Sequence, residues 1–202
     1  MNEPALIRDA KRGDLDAFNR LVLEYQDMLY NTAYRVLGDP ALAADATQEA
    51  FISAFNKLKS YRGGSFKGWL LRIVTNACYD ELRRQKRRPQ TPLEPLTEDD
   101  EEMETPRWLA DSNASPEEQL ETAELDHAIQ NCIESLPPEF RAVVVLTDIQ
   151  GLDYSEVASA LKTPLGTVKS RLARARTRLR DCLQTIRELL PSVFRLEEGS
   201  AL

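Results

Sequence analysis

The apolar positions of this chain recur mostly at three- and four-residue intervals, with no sustained two-residue alternation. That is the period of an α-helix, in which residues i, i+3 and i+4 share one face. Gly and Pro interrupt the pattern at residues 38–40 and 63–64. These breaks delimit three predicted helices in the first part of the chain, over residues 15–37, 41–58 and 66–88. The chain is therefore predicted to be all-α.

A second helical part follows, with breaks at residues 137–138, 151 and 163–164. We expect a short helix before the last break and a longer one after it, with Thr163 as N-cap and Pro164 at the first position. The longer helix has a predicted buried stripe at steps of four, three and four residues, formed by Val168, Leu172, Ala175 and Leu179. A short helix, a tight turn and a second helix make a helix-turn-helix, whose second helix enters the DNA major groove.

The charge of the chain is unevenly distributed. The formal net charge is −7, yet residues 89–126 hold 13 acidic residues and one basic residue, and the rest holds 25 basic and 20 acidic residues. An acidic, Pro-containing segment with few apolar residues is typical of a flexible linker. The sequence therefore predicts two small helical domains, at residues 1–88 and 120–190, joined by a linker at 89–119 and followed by a short tail at 191–202.

Several function classes are disfavoured by composition. The three cysteines are few, odd in number and far apart, which suits a reducing compartment and argues against a disulfide framework. No apolar run approaches the ~20 residues of a membrane span, and the start lacks a signal-peptide pattern, so we expect a cytoplasmic protein. The only histidine, His127, and its nearest cysteine, Cys132, make a poor metal-ligand pair, and no Gly-rich phosphate loop is present. We expect neither an enzyme nor a cofactor or metal.

The predicted second helix of the helix-turn-helix carries the first basic surface. Between Lys162 and Arg180 there are seven basic residues and no acidic one. On a helical projection the crest opposite the buried stripe holds Ser170, Ala173 and Arg174, with cations on both flanks. Such a helix fits a major groove, where the crest meets base edges and the flanks meet phosphates. An ordinary solvated face is the alternative, but no acid is available there for i,i+4 pairs.

The second basic surface lies on the predicted helix over residues 66–88. Its expected core face holds Leu70, Ile73, Val74 and Ala77, and the opposite side holds Trp69, Arg72, Asn76, Tyr79 and Arg83. Aromatic rings among cations suit opened nucleic acid, because unpaired bases stack on flat surfaces. Simple packing of Trp69 against a neighbouring helix is an equally open alternative.

Three segments together resemble the extracytoplasmic-function (ECF) sigma factors, which are promoter-recognition subunits of bacterial RNA polymerase. They are DATQEAF at residues 45–51, FKGWLLRIVTNACYDELRR at 66–84 and GTVKSRLARAR at 166–176. The resemblance covers nearly the whole chain and implies sigma region 2 in the first domain and region 4 in the second. It also implies three partners: the core polymerase through its clamp helices and flap, promoter DNA, and an anti-sigma factor that could hold the protein at the membrane.

The resemblance implies roles for individual residues. Region 4 would read the minus-35 element with Thr167, Lys169, Ser170, Arg171, Ala173, Arg174, Arg176 and Arg178. Region 2 would open and capture minus-10 bases with Tyr61, Arg62, Ser65, Phe66, Trp69, Arg72, Asn76, Tyr79, Arg83, Arg84 and Arg87. The core polymerase would dock on Asp45, Gln48, Glu49, Ile52 and Asn56, with Phe51, Phe55 and Leu58 turned inward.

A second hypothesis is a two-domain transcriptional regulator that binds DNA without being part of polymerase. It accounts for the helix-turn-helix equally well. It gives no purpose to the surface around Trp69, Asn76 and Arg83 or to the helix at residues 45–51. The sigma-factor hypothesis accounts for all of these features.

Overall fold

The computed structural model describes residues 2–87 and 116–186, with side chains described for 2–87 and 124–186. Within these ranges the regular secondary structure is helical and no β-strand occurs, as predicted. Most of the predicted linker, with the tail, lies outside the described residues. The second helical part begins at Pro116, four residues before the predicted start of region 4.

The three helices predicted in the first part are present. They are α2 over Leu15–Leu37, α3 over Pro40–Lys57 and α4 over Phe66–Arg87, with a 3₁₀ turn at Leu58–Ser60 after α3. Local chemistry sets the junction between α2 and α3. Gly38 ends α2 with φ 78°, a left-handed conformation that favours glycine, and the Asp39 carboxylate caps α3.

A further helix, α1 over Glu3–Lys11, precedes these three and was not predicted. The side chain of Asn2 caps it, and Leu6, Ile7 and Ala10 bury one face, chiefly against α2. The helix is only nine residues long, and a single short apolar stripe carries too little periodic signal. Its stability comes from this packing rather than from its length.

Small side chains let α3 pack closely in the core of the first part. Its buried stripe is formed by Ala43, Ala46, Ala50 and Ala54, all of them 5% exposed or less. Larger side chains fill the space on either side, with Leu21, Leu29 and Val36 from α2 and Leu70, Leu71 and Val74 from α4. Helix α4, which carries the predicted minus-10 surface, is thereby held against both α2 and α3.

Over residues 116–186 the second part contains four helices and one irregular turn. They are α5 over Pro116–Glu134, α6 over Pro138–Val144, a π-helical turn at Val145–Ile149, α7 over Tyr154–Leu161 and α8 over Leu165–Thr185. Asp153 and Glu156 form a capping box that starts α7. Helices α7 and α8 are the predicted helix-turn-helix, and α8 packs on α6 while α7 contacts the π-helical turn.

The predicted N-cap of the recognition helix was wrong. Helix α8 begins at Leu165, and the capping position belongs to Pro164, which makes no side-chain capping bond. The Thr163 hydroxyl donates instead to the carbonyl oxygen of Leu161, at 3.1 Å. Lys162 adopts a left-handed conformation with φ 48° to end α7, which turns Thr163 back toward the preceding helix.

The cysteine spacing argued against a disulfide framework, yet the structure contains one disulfide. Cys132 in α5 and Cys182 in α8 form a disulfide, although they are 50 residues apart in sequence. Their Cα atoms are 5.7 Å apart because α5 packs along the C-terminal half of α8. Spacing alone could not show that the helical connection returns these two positions to one another. Cys78 is free and buried in α4.

The two parts contact each other through buried polar groups. The Arg141 guanidinium donates to the carbonyl oxygen of Val36 at the end of α2, at 2.5 Å. The side-chain amide of Gln130 donates to the carbonyl oxygen of Tyr34, at 3.2 Å. On the other side of the contact, Lys67 Nζ donates to the carbonyl oxygen of Gln150, at 2.6 Å. The described residues contain no helix long and apolar enough to cross a membrane.

Candidate nucleic-acid interface

Helix α8 presents its predicted crest to solvent. Val168, Leu172 and Ala175 are at most 2% exposed, which confirms the predicted buried stripe, while Leu179 is half-buried. On the opposite side Lys169, Ser170, Ala173 and Arg174 are exposed. The core of the second part therefore fixes the rotation of α8, and that rotation exposes the residues expected to face DNA bases.

Two of the predicted phosphate contacts are engaged within the protein. Arg176 forms a two-pronged ion pair with Asp148, with N–O distances of 3.0 and 2.6 Å, and this hydrogen bonding raises the pKa of Arg176. Arg178 lies over the ring of Phe140, 5.3 Å from its centroid. Both side chains hold α8 against the elements that precede the helix-turn-helix. They still present positive charge at the edge of the surface.

The remaining members of the predicted minus-35 set differ in accessibility. Thr167 and Arg171 are half-buried. Lys169 and Arg174 are exposed and form no ion pair or hydrogen bond with another side chain in the described part of the chain. Of all the cations on α8, these two are thus the most available to an incoming ligand.

The predicted minus-10 surface contains an aromatic cluster, formed by Tyr25, Tyr61, Phe66 and Trp69. Phe66 and Tyr61 are 2% and 8% exposed, and their ring centroids lie 5.4 Å apart. Trp69 is half-buried, with its ring 5.2 Å from that of Tyr61 and 5.4 Å from that of Phe66. The structure therefore places two of the predicted base contacts inside the fold and Trp69 at its edge. Most of the Trp69 ring therefore packs against neighbouring side chains, which is the alternative that the sequence left open.

The same cluster shapes the loop before α4. The Tyr61 hydroxyl donates to the carbonyl oxygen of Gly64, at 2.6 Å, and Lys11 donates to the carbonyl oxygen of Tyr61. Gly63 and Gly64 both have φ above 90°, a region that a side chain would disfavour. Buried Tyr61 thus positions an exposed loop, in which Arg62 and Ser65 face solvent.

Further along α4, the predicted face is partly covered by the second part of the chain. Arg72 and Tyr79 are half-buried, whereas Asn76 is exposed. The Tyr79 hydroxyl lies 3.5 Å from the carbonyl oxygen of Pro138, and burial raises the pKa of Tyr79 to about 12. Toward the end of α4, the exposed cations are Arg83, Arg84, Lys86 and Arg87. The first two form ion pairs one turn back, with Asp80 and Glu81.

The predicted polymerase-docking residues share one exposed face of α3. All five are exposed: Asp45, Gln48, Glu49, Ile52 and Asn56. A groove runs between α3 and α4 beside this face, lined by Leu42, Asp45, Ala46, Glu49, Ala77, Asp80, Glu81 and Arg84. The face combines carboxylates with apolar side chains.

Phe55 belongs to this exposed face, contrary to prediction. It is 41% exposed and contacts Phe18 edge-on at a centroid distance of 5.0 Å, close to Ile52, which is 56% exposed. Counting large apolar residues on α3 selected Phe51, Phe55 and Leu58 as the inward stripe, and among them only Leu58 is buried. The alanines at three- and four-residue steps were the correct signal.

Comparison with known proteins decides the family. A family model described as Sigma-70 region 2 matches residues 21–88, and one described as Sigma-70, region 4 matches residues 126–179. The RNA polymerase sigma-H factor of Pseudomonas aeruginosa is 36% identical over 90% of this chain and 93% of its own length. The ECF RNA polymerase sigma factor SigW of Bacillus subtilis is 36% identical, over 89% of this chain and 96% of its own length. The chain belongs to the ECF sigma factors.

A third relative of this ECF sigma factor is longer. The ECF RNA polymerase sigma factor SigE of Mycolicibacterium smegmatis is 40% identical over 84% of this chain, and the match spans 62% of that relative. The fold is shared with CnrH in complex with the cytosolic domain of CnrY, with a TM-score of 0.63 and 24% identity over 90% of this chain and 96% of that chain. It is also shared with RpoE of Bartonella quintana in complex with the anti-sigma factor NepR, with a TM-score of 0.63, 23% identity and coverage of 83% and 96%.

The family settles the activity. The protein is an RNA polymerase sigma factor that directs promoter-specific initiation of transcription. Sigma factors are known as non-catalytic subunits of RNA polymerase.

Proposed function

We propose that this sigma factor recognises the minus-35 duplex with the crest of α8, chiefly Lys169, Ser170, Ala173 and Arg174. The observation that supports this proposal most directly is that the second helix of a helix-turn-helix exposes these residues while its opposite side is buried in the core. A guanidinium can donate two hydrogen bonds to a guanine edge, and a methyl group can contact thymine. Arg171, Arg176 and Arg178 with Thr167 supply the phosphate contacts that set the register of the helix.

We further propose that region 2 opens the minus-10 element and holds its unpaired bases. The exposed loop residues Arg62 and Ser65 and the exposed Asn76 on α4 would contact the displaced strand, with Arg72, Arg83, Arg84 and Arg87 along its backbone. The exposed edges of Trp69 and Tyr79 would offer surfaces on which bases stack. Tyr61 and Phe66 act indirectly, because their rings support the loop and Trp69 from inside. Hydrogen bonds and stacking then offset the cost of unpairing a base.

The exposed face of α3 is the proposed docking surface for the core polymerase, at its clamp helices. Its acids, Asp45 and Glu49, complement a basic partner surface, and Ile52 with Phe55 supply the apolar contact area. Gln48 and Asn56 lie on the same face and add hydrogen-bonding groups. Region 4 would contact the flap of the polymerase, and this places region 4 over the minus-35 element.

An anti-sigma factor is the proposed regulatory partner, and the proposed location is the cytoplasm, with membrane tethering only through that partner. Support comes from the shared fold with RpoE, which was solved in complex with the anti-sigma factor NepR. Run-off transcription with purified core polymerase tests the whole assignment. A promoter-dependent transcript supports it, whereas DNA binding without such a transcript would favour the regulator that acts apart from polymerase.

Replacing Arg174 with alanine should change promoter preference. Loss of one bidentate guanine contact removes about 1–3 kcal/mol of discrimination, which is roughly 5- to 150-fold, at one minus-35 base pair. Transcription from a library of minus-35 variants, made with reconstituted holoenzyme, measures this directly. Arg12→Ala is the matched control, because Arg12 is an exposed arginine at the end of α1. An unchanged preference in the Arg174 variant would contradict the assignment of the crest.

Replacing Asn76 with alanine should impair opening of the minus-10 element more than formation of the closed complex. Losing one hydrogen-bonding group toward an unpaired base should lower the open-complex yield roughly tenfold. Permanganate footprinting of the bubble measures opening, and filter binding on ice measures the closed complex. Gln85→Ala is a matched control, since Gln85 is an exposed amide nine residues along the same helix and on its opposite side. An equal loss in both assays would mean that Asn76 makes a general DNA contact rather than one to an unpaired base.

A further inference from the structure

The disulfide between Cys132 and Cys182 joins two helices with different tasks. Cys182 lies near the end of α8, whose first half carries the exposed crest, and Cys132 lies in α5. Val168, Leu172 and Ala175 anchor the first half of α8 in the core. Beyond Leu179, which is half-buried, the disulfide is the covalent anchor for the rest of the helix.

Helix α5 is also one of the elements that the second part places against α2, together with α6 and the π-helical turn. Gln130 donates to the carbonyl oxygen of Tyr34, and Arg35 donates to the Gln130 side-chain oxygen at 3.1 Å. Arg35 also pairs with Asp126, at 3.8 Å. The carboxylate of Glu134 lies so close to Gly38 that a Cβ atom at that position would be 2.5 Å from it. Helix α5 is thus linked to the recognition helix α8 by the disulfide and to region 2 by hydrogen bonds.

This arrangement keeps the DNA-binding face of region 2 partly covered. Helix α7 packs on α4, Lys67 is bonded to the Gln150 carbonyl, and Tyr79 is half-buried beside Pro138. The contacts of α5 on α2 and of α7 on α4 reinforce one another as long as α5 and α8 move as one body. Without the disulfide, α5 is joined to the rest of region 4 by packing and by the short connection at residues 135–137.

We propose that the Cys132–Cys182 disulfide is a redox switch that locks region 4 onto region 2, and that its reduction frees both regions for polymerase and promoter. Disulfides are uncommon in the cytoplasm, where the protein is expected to act, and those found there are usually transient or redox-sensing. The free Cys78 is not a competitor, since it is fully buried and burial raises its pKa to about 12. The expected effect on promoter binding rests on the proposed function, whereas the locking of region 4 onto region 2 does not.

The chemistry of the switch is thiol–disulfide exchange. Cys132 is 1% exposed, whereas Cys182 is half-buried and therefore accessible. The thiolate of a cellular dithiol reductant bonds to Cys182 Sγ, and the bond to Cys132 breaks, which releases Cys132 as a thiolate. The second thiol of the reductant then attacks the mixed disulfide, forms the reductant's own disulfide and releases Cys182. In the reverse direction one molecule of hydrogen peroxide takes two electrons and two protons from the two thiols, which gives the disulfide and two molecules of water.

The experiment compares the full-length protein before and after treatment with dithiothreitol. Alkylation in denaturant followed by mass spectrometry counts free thiols, small-angle scattering gives the radius of gyration, and fluorescence anisotropy gives the affinity for core polymerase. We expect one free thiol before reduction and three after it, a larger radius of gyration, and roughly tenfold tighter polymerase binding if about a tenth of the oxidised protein is open. Peroxide should reverse all three changes.

Three variants make the test specific. Cys132→Ser and Cys182→Ser should each behave as reduced protein and ignore dithiothreitol, whereas Cys78→Ala should respond as the unmodified protein does. Three free thiols in the air-oxidised folded protein would overturn the proposal. A complete reduction that changes neither the radius of gyration nor the polymerase affinity would also overturn it. Because scattering needs no DNA, a failure of the promoter assignment would leave this result unaffected.

Discussion

Arg141→Ala is expected to lower the free energy of unfolding by about 3 kcal/mol, since buried carbonyl groups left without donors cost about 1–3 kcal/mol each. The guanidinium is buried, and burial lowers its pKa. It donates to the carbonyl oxygens of Val36 and Glu134, each at 2.5 Å, and of Leu136, at 3.2 Å. Val36 and Glu134 lie at the ends of α2 and α5, where helical carbonyls have no partner in their own helix, and Leu136 lies just beyond α5. Urea unfolding followed by circular dichroism measures the change.

Two other variants separate this role from a general charge effect. Arg141→Lys keeps the charge and three donors but loses the planar fork, so we expect an intermediate loss. Arg35→Ala removes a partly exposed ion pair with Asp126 and a hydrogen bond to Gln130, so we expect a loss of about 1–2 kcal/mol, smaller than that of Arg141→Ala. If Arg141→Ala costs no more than Arg35→Ala, the buried hydrogen bonds contribute little. Arg141→Ala should also enlarge the radius of gyration, because the Val36 bond joins the two parts of the chain.

Phe66→Ala is expected to destabilise region 2 by about 3–5 kcal/mol, the usual cost of deleting a buried aromatic ring. The ring is 2% exposed and packs against those of Tyr25, Tyr61 and Trp69, at centroid distances of 5.6, 5.4 and 5.4 Å. Without the Phe66 ring, the exposed loop and Trp69 both lose the side chain that packs beneath them. Promoter opening should therefore fail as a consequence of unfolding. Thermal and urea unfolding of the full chain measure the loss.

The controls decide between a structural and a base-contacting Phe66. Phe66→Leu keeps most of the buried volume and should retain most of the stability and promoter opening. Arg62→Ala changes an exposed loop residue and should leave stability unchanged while weakening promoter binding. If Phe66→Ala is as stable as the unmodified protein but fails to open promoters, Phe66 contacts a base as the sequence predicts, and its ring is not the support of the loop.

Sequence reasoning predicted best where a signal was local and repeated. Helix α2 was predicted over its observed range because the break at residues 38–40 ends a long apolar stripe. The exposed crest of α8 was predicted because three buried residues at helical spacing determine which way the others point. Helix α1 and the capping of α8 were missed or misplaced, since each depends on contacts with another element rather than on its own period.

The all-helical architecture, the helix-turn-helix, the family and the candidate surfaces could all be predicted from the amino-acid sequence, because periodicity, caps and motifs are properties of neighbouring residues. Which members of those surfaces are reachable depends on the packing of the helices. That packing buries Tyr61 and Phe66, exposes Phe55, pairs Arg176 with Asp148, and brings Cys132 to Cys182. Each of these outcomes depends on which helix packs against which, and side chains distant in sequence meet only after that packing has formed.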